Sequence, residues 1–82
     1  MYEISYRKNN LGGYMELSYK RLLKKLIDLD MQHNELMEKA NVSRSTFYKL
    51  KNGENVTTDI LLRICDALDC DISEIMECIK ND

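Results

Sequence analysis

The stretch from Glu35 to Gly53, ELMEKANVSRSTFYKLKNG, sets the architecture of the chain. Leu36 and Ala40 stand four residues apart, the spacing at which side chains share one helix face, and the helix predicted around them runs from about His33 to Lys39. Asn41-Val42-Ser43 interrupts it. Asn tolerates the left-handed backbone that closes a helix and Ser is a strong N-cap, so a second helix starts immediately behind Ser43. It is predicted over Arg44–Lys51, with Phe47 and Leu50 on its inner side. Asn52-Gly53 stops it, Gly being the usual residue just past a helix end.

On the amino-terminal side, apolar residues at Leu17, Leu22, Leu23, Leu26, Ile27 and Leu29 alternate with Lys20, Arg21, Lys24, Lys25 and Asp28, which predicts a first helix over Leu17–Leu29. Asp30-Met31-Gln32 ends that pattern. Beyond Gly53, Thr57 caps a helix predicted over Thr58–Leu68, with Asp59 near its positive end and Leu61, Ile64, Cys65 and Leu68 on one face. Asp71 followed by Glu74 has the form of a capping box and predicts a fifth helix carrying Ile72, Ile75, Met76 and Ile79. The expected fold class is therefore all-α, a compact five-helix domain over residues 17–80.

Residues 1–16 form an N-terminal extension, expected to be extended or a hairpin. Tyr2-Glu3-Ile4-Ser5-Tyr6-Arg7 alternates as a strand does, and Asn9 to Gly13 is turn material. Glu3-Ile4-Ser5-Tyr6-Arg7-Lys8 is echoed by Glu16-Leu17-Ser18-Tyr19-Lys20-Arg21. Two readings stand side by side for this segment: a functional arm, or a translated leader ahead of a natural start at Met15, because Leu11-Gly12-Gly13 can be encoded by a ribosome-binding sequence.

At 82 residues the chain is one small domain, too short for most enzyme architectures. The 44% hydrophobic and 32% charged composition without proline is globular and helix-friendly. Cys65, Cys70 and Cys78 are odd in number and show no CxxC pair, so neither a secreted disulfide framework nor a zinc site is expected, and a reducing cytoplasm is the natural setting. Cys65 reads as a small core residue. Asp69, Asp71 and Ser73 imitate a calcium loop, but Glu74 stands where Gly is required and Lys80 where the bidentate acid belongs. A single His supports no nucleophile–base pairing and no Gly-rich phosphate loop is present, so an enzyme is not expected; neither is a cofactor, a metal or a membrane span.

The net charge of −2 argues against a polyanionic partner until its distribution is read. Residues 17–53 carry eight Lys or Arg against four acids, whereas residues 54–82 carry eight acids against Arg63 and Lys80. Half the domain can face a polyanion while the other half stays acidic. Two short helices joined by a tight turn, the second opening on small polar and basic residues, also meet the requirement for entering a DNA major groove. That groove is about 12 Å wide and admits one α-helix.

The run Glu35–Gly53 resembles the helix-turn-helix core of the Cro and lambda-repressor type, also called the Xre family, and Thr57–Leu68 looks like that family's fourth helix; the likeness extends over roughly Leu17–Ile79. The resemblance implies a lambda-repressor-like fold in which Ser43, Arg44, Ser45 and Lys49 point at base edges. His33 stands at the family's phosphate-contacting position, and Tyr48, Asn52 and Thr57 are further phosphate candidates. Four residues depart from the family pattern: Met37 for a small Ala, Asn41 for the turn Gly, Gln32 for a Ser or Thr cap, and Lys51 for Glu. Lys51, freed from the usual charge pair, becomes another phosphate candidate.

The function so implied is a sequence-specific DNA-binding transcriptional regulator, a repressor acting as a homodimer on a palindromic operator of double-stranded DNA. The acidic, apolar last helix, with Ile72, Met76, Cys78 and Ile79, is the expected dimer interface. The competing expectation is an antitoxin-like interaction module that keeps the fold and neutralises a protein partner.

Overall fold

The structure, a computed structural model, describes residues 14–81. The strand and turn expected within Tyr2–Gly13 lie outside the described residues. In chain order the elements are strand β1 (Tyr14–Ser18), helices α1 (Lys20–Asp28), α2 (His33–Ala40), α3 (Arg44–Lys51) and α4 (Thr58–Leu68), a 3-10 turn over Ile72–Glu74, and strand β2 (Glu77–Asn81). The domain division drawn at residues 16 and 17 falls inside β1.

Each helix buries the face that its apolar spacing defines. Leu22 and Leu26 of α1, Leu36 and Ala40 of α2, Phe47 and Leu50 of α3, and Leu61, Ile64 and Leu68 of α4 meet in one core, joined by Tyr19, Val42 and Ile75. The observed α2, α3 and α4 follow the sequence pattern to within one residue. α1 is shorter than expected: Leu17 belongs to β1, and Leu29 is the C-cap.

The fifth helix is not formed. Its capping box exists, Asp71 Oδ2 accepting from Ser73 N at 3.1 Å and Glu74 Oε2 from Asp71 N at 3.0 Å, but it opens a single 3-10 turn. From Glu77 the chain is extended and pairs antiparallel with β1, Glu16 opposite Ile79 and Leu17 opposite Cys78. Ile72, Ile75, Met76 and Ile79 fit a helical period, yet the backbone of β1, some 60 residues earlier in the chain, offers a ladder that local spacing cannot register. The four residues expected on one helix face are consequently dispersed. Ile72 is exposed in the 3-10 turn, Met76 packs against the core, and Cys78 and Ile79 point to opposite faces of the ribbon.

This C-terminal segment also completes α1. The N-cap, Tyr19, offers no capping side chain. In its place Ser18 Oγ accepts from Lys20 N at 3.3 Å, and the carbonyl of fully buried Ile75 accepts from Leu22 N at 3.1 Å. Arg21 donates to Ser73 O at 2.8 Å and pairs with Glu77 at 3.1 Å, while Lys25 meets Glu74 at 2.9 Å. Thus α1 receives its cap from tertiary contact.

Gly53 ends α3 with φ +73°, and a Cβ placed there would stand 3.1 Å from the Leu17 carbonyl oxygen. Gly53→Ala is expected to destabilise the domain by about 1–2 kcal/mol from left-handed strain, with further loss from crowding β1; urea unfolding measures it. The Lys25 bond holds Glu74 below the ordinary carboxylate range, and the Ser73 amide and hydroxyl do the same for Asp71. Carboxyls depressed on folding stabilise above their unfolded values and lose that contribution as pH falls through their folded ones. Stability should therefore erode below about pH 4, and Glu74→Gln should flatten that acid limb in thermal melts taken across pH.

Candidate nucleic-acid interface

The geometry of α2 against α3 is set by three residues between them. Asn41 takes the left-handed conformation, φ 55° and ψ 52°, and ends α2. Val42 turns inward into the core, and Ser43 caps α3 by accepting from Thr46 N at 3.2 Å. Arg63 of α4 donates to the Asn41 carbonyl at 3.0 Å and is itself held by Asp59 at 2.7 Å. The turn is thus tied to α4 as well as to the core. Sequence reading missed Arg63; its only signal was the i, i+4 spacing from Asp59.

At about 100° per residue, Phe47 and Leu50 define the inner face of α3, Ser45, Tyr48, Lys49 and Asn52 lie on the face opposite, and Arg44 lies at the edge beside Phe47, where it also lines the groove toward α2. All five are exposed. The side chains of Arg44 and Lys49 have no hydrogen bond or ion pair among the described residues. Ser43 and Ser45 stand at the amino-terminal end of the same face, Oγ to Oγ 3.2 Å, with the Ser43 oxygen occupied by the cap.

A groove between α2 and α3 gathers His33, Asn34, Met37, Arg44, Phe47, Tyr48 and Lys51. His33 and Phe47 pack with ring centroids 4.9 Å apart. Lys51 Nζ sits 5.5 Å from the centre of the Tyr48 ring, a cation–π arrangement that holds the ammonium beside α3. Met37 opens into this groove, which is how the fold accommodates a side chain larger than the family's usual Ala. Gln32, the other unusual residue here, is the N-cap of α2, and its backbone amide donates to Glu35 Oε1 at 2.9 Å.

On the other flank of α3, Thr46, Lys49, Asn55, Val56, Thr57 and Ile60 line a second hollow. Thr57 caps α4 there, its Oγ1 accepting from Ile60 N at 3.3 Å. Asn52 is the C-cap of α3. Sequence-named residues accordingly fall into three groups: the outward face of α3, the α2–α3 groove, and the flanking hollow. Asn34 and Asn55, which the sequence reading did not select, join the second and third.

Among the described residues no group of His, Cys, Asp and Glu is placed to hold a metal, and no helix is long and apolar enough to cross a membrane. Cys65 and Cys70 are free thiols whose burial pushes their pKa values up, which keeps them protonated and unreactive near neutrality.

The sequence profile of the Cro/C1-type HTH DNA-binding domain matches residues 21–81. Among solved structures, the crystal structure of transcriptional regulator VanUg, Form II, is similar, at 40% identity and a TM-score of 0.79, over 96% of this chain and 97% of that one. Comparison with curated proteins gives no match.

Removing the cap tests the local geometry. Ser43→Ala should cost about 1 kcal/mol of stability in thermal or urea unfolding, and Ser43→Gly only a few tenths.

Proposed function

Because the chain belongs to the Cro/C1-type helix-turn-helix DNA-binding family, we propose that it is a transcriptional repressor that lays α3 in the major groove of a palindromic operator and binds it as a homodimer. The observation that carries this reading is the outward face of α3, where Arg44 and Lys49 stand exposed without partners among the described residues while Phe47 and Leu50 anchor the helix from behind. Arg44 and Lys49 donate to guanine O6 and N7, the commonest specific side-chain contact, and Ser45 reads beside them. Ser43 supports this row from the helix start, its hydroxyl accepting from Thr46 N and donating to Thr46 Oγ1.

Phosphate contacts come from both flanks of α3. His33 and Lys51 serve the groove side, with Tyr48 between them; Asn52 and Thr57 serve the other. These contacts set register and orientation and carry no sequence information themselves.

One such module touches few base pairs, so two copies spaced about 34 Å apart give useful affinity. The dimer surface is the C-terminal segment. Ile72 is exposed in the 3-10 turn, Cys78 is exposed on one face of β2 and half-buried Ile79 lies on the other, while Met76 packs against the core behind them. Bound across a promoter, such a dimer excludes polymerase sterically.

Selection of bound sequences from a random duplex pool at two salt concentrations tests the proposal. An inverted repeat with half-sites near one turn apart is expected, with binding that weakens steeply as salt rises; the absence of any enriched sequence would overturn it. Arg44→Ala should cost about 1–3 kcal/mol on the selected site and relax the preference at one base pair. Lys51→Ala should weaken all sequences alike and lower the salt slope by about one. For the dimer, Ile79→Asp is expected to sediment as a monomer; persistent dimers would place the interface elsewhere.

A further inference from the structure

Outside α3, which opens on Arg44, two helices of this domain carry charge at the end where their own dipole disfavours it. α1 opens on Lys20 with no acid in its first turn, and α4 closes on Asp66 and the cap Asp69 with no base in its last turn. Cations belong at helix C-termini and anions at N-termini, so both arrangements are unfavourable in the isolated domain. The side chains of Lys20, Lys24, Asp66 and Asp69 are exposed and make no hydrogen bond or ion pair among the described residues.

Each charge pair flanks a bare hydrophobic residue. Ile27 on α1 is 77% exposed and Leu62 on α4 is 68% exposed, the two most exposed large apolar side chains among the described residues. At about 100° per residue, Lys20, Lys24 and Ile27 fall within a stripe about 60° wide, Leu62 and Asp66 lie about 40° apart on α4, and Asp69 is the left-handed cap that follows them. The stripes also match in length when read in opposite directions. Lys24 and Lys20 stand three and seven residues before Ile27, and Asp66 and Asp69 stand four and seven after Leu62.

We propose that α1 of one copy docks antiparallel on α4 of a second copy, with Ile27 on Leu62, Lys24 beside Asp66 and Lys20 beside Asp69. This alignment sets the positive amino end of α1 against the negative carboxyl end of α4. Lys20, Asp66 and Asp69 thereby each gain an opposite charge and an opposite dipole. Because α1 and α4 present different surfaces, the contact is heterologous and links successive copies side by side. It is small, hence weak between free molecules, and it strengthens where DNA holds neighbours together. It is distinct from the C-terminal dimer and does not rest on DNA reading.

Charge exchange in DNA-free protein tests it. Wild-type protein, Lys24→Glu, Asp66→Lys and an equimolar mixture of the two variants are compared by sedimentation at low salt and sub-millimolar concentration, with circular dichroism melts to verify folding. These substitutions leave the C-terminal segment unchanged, so the monomer or dimer mass it gives is a common baseline. Wild-type protein should exceed that baseline as concentration rises. Each variant alone should fall back to it, because Lys24→Glu sets a carboxylate against Asp66 and Asp66→Lys sets an ammonium against Lys24. The mixture should recover wild-type mass, since each variant supplies the charge that the other needs. A wild type that stays at baseline, single variants that associate like wild type, or a mixture no heavier than its components would each overturn the proposal.

Discussion

Asn41 turns the chain through the left-handed region between two eight-residue helices, and the orientation of everything that faces outward on α3 follows from that turn. Helices this short are marginal in isolation. Their mutual angle is kept by packing, with Leu36, Ala40, Val42, Phe47 and Leu50 buried together, and by Arg63, whose guanidinium bonds the Asn41 carbonyl from α4. A carbonyl left unpaired at such a tight turn would have to find water or distort the helix end. With Arg63 in place the turn is braced on a third helix, and the exposed row of α3 becomes a rigid surface.

The two ends of the domain perform a second bracing. β1 and β2 pair across the whole length of the described chain, and Ile75, just before β2, fills the core and closes the amino end of α1. Gly53 brings the end of α3 against β1, near enough that only a residue without a side chain fits comfortably. The ribbon, α1 and the end of α3 thus form a connected frame behind the outward face of α3.

Charge is distributed to match. Lysines and arginines lie on α1 to α3, and acids collect on α4 and the C-terminal segment. Some of them neutralise each other within the domain, as Arg21 with Glu77 and Lys25 with Glu74. Others divide between the face of α3 and the outer stripes of α1 and α4, where an outside molecule can meet them.

The helix-turn-helix was legible in the residues alone. Leu36 and Ala40, Asn41 and Ser43, Phe47 and Leu50, and the Asn52-Gly53 stop are local signals, each acting within a turn or two of backbone, and α2, α3 and α4 stand where those signals put them. The outward placement of Lys49 follows from the same locality, since it lies opposite Phe47 and Leu50, whereas the base-contacting roles of Arg44 and Lys49 come from the resemblance to the Cro type alone. The remainder was settled by long-range packing. The capping box at Asp71 and the apolar spacing after it are compatible with a helix, but a ladder with Tyr14–Ser18 satisfies the same backbone groups and leaves Ile75 free to fill the core. Arg63 on the Asn41 carbonyl, Ile75 on the Leu22 amide and Lys51 over the Tyr48 ring likewise depend on how elements approach in space. Hydrogen-bond partners and pairing strands distant in the chain leave no periodic trace in the residues that use them, which is why folding alone made them visible.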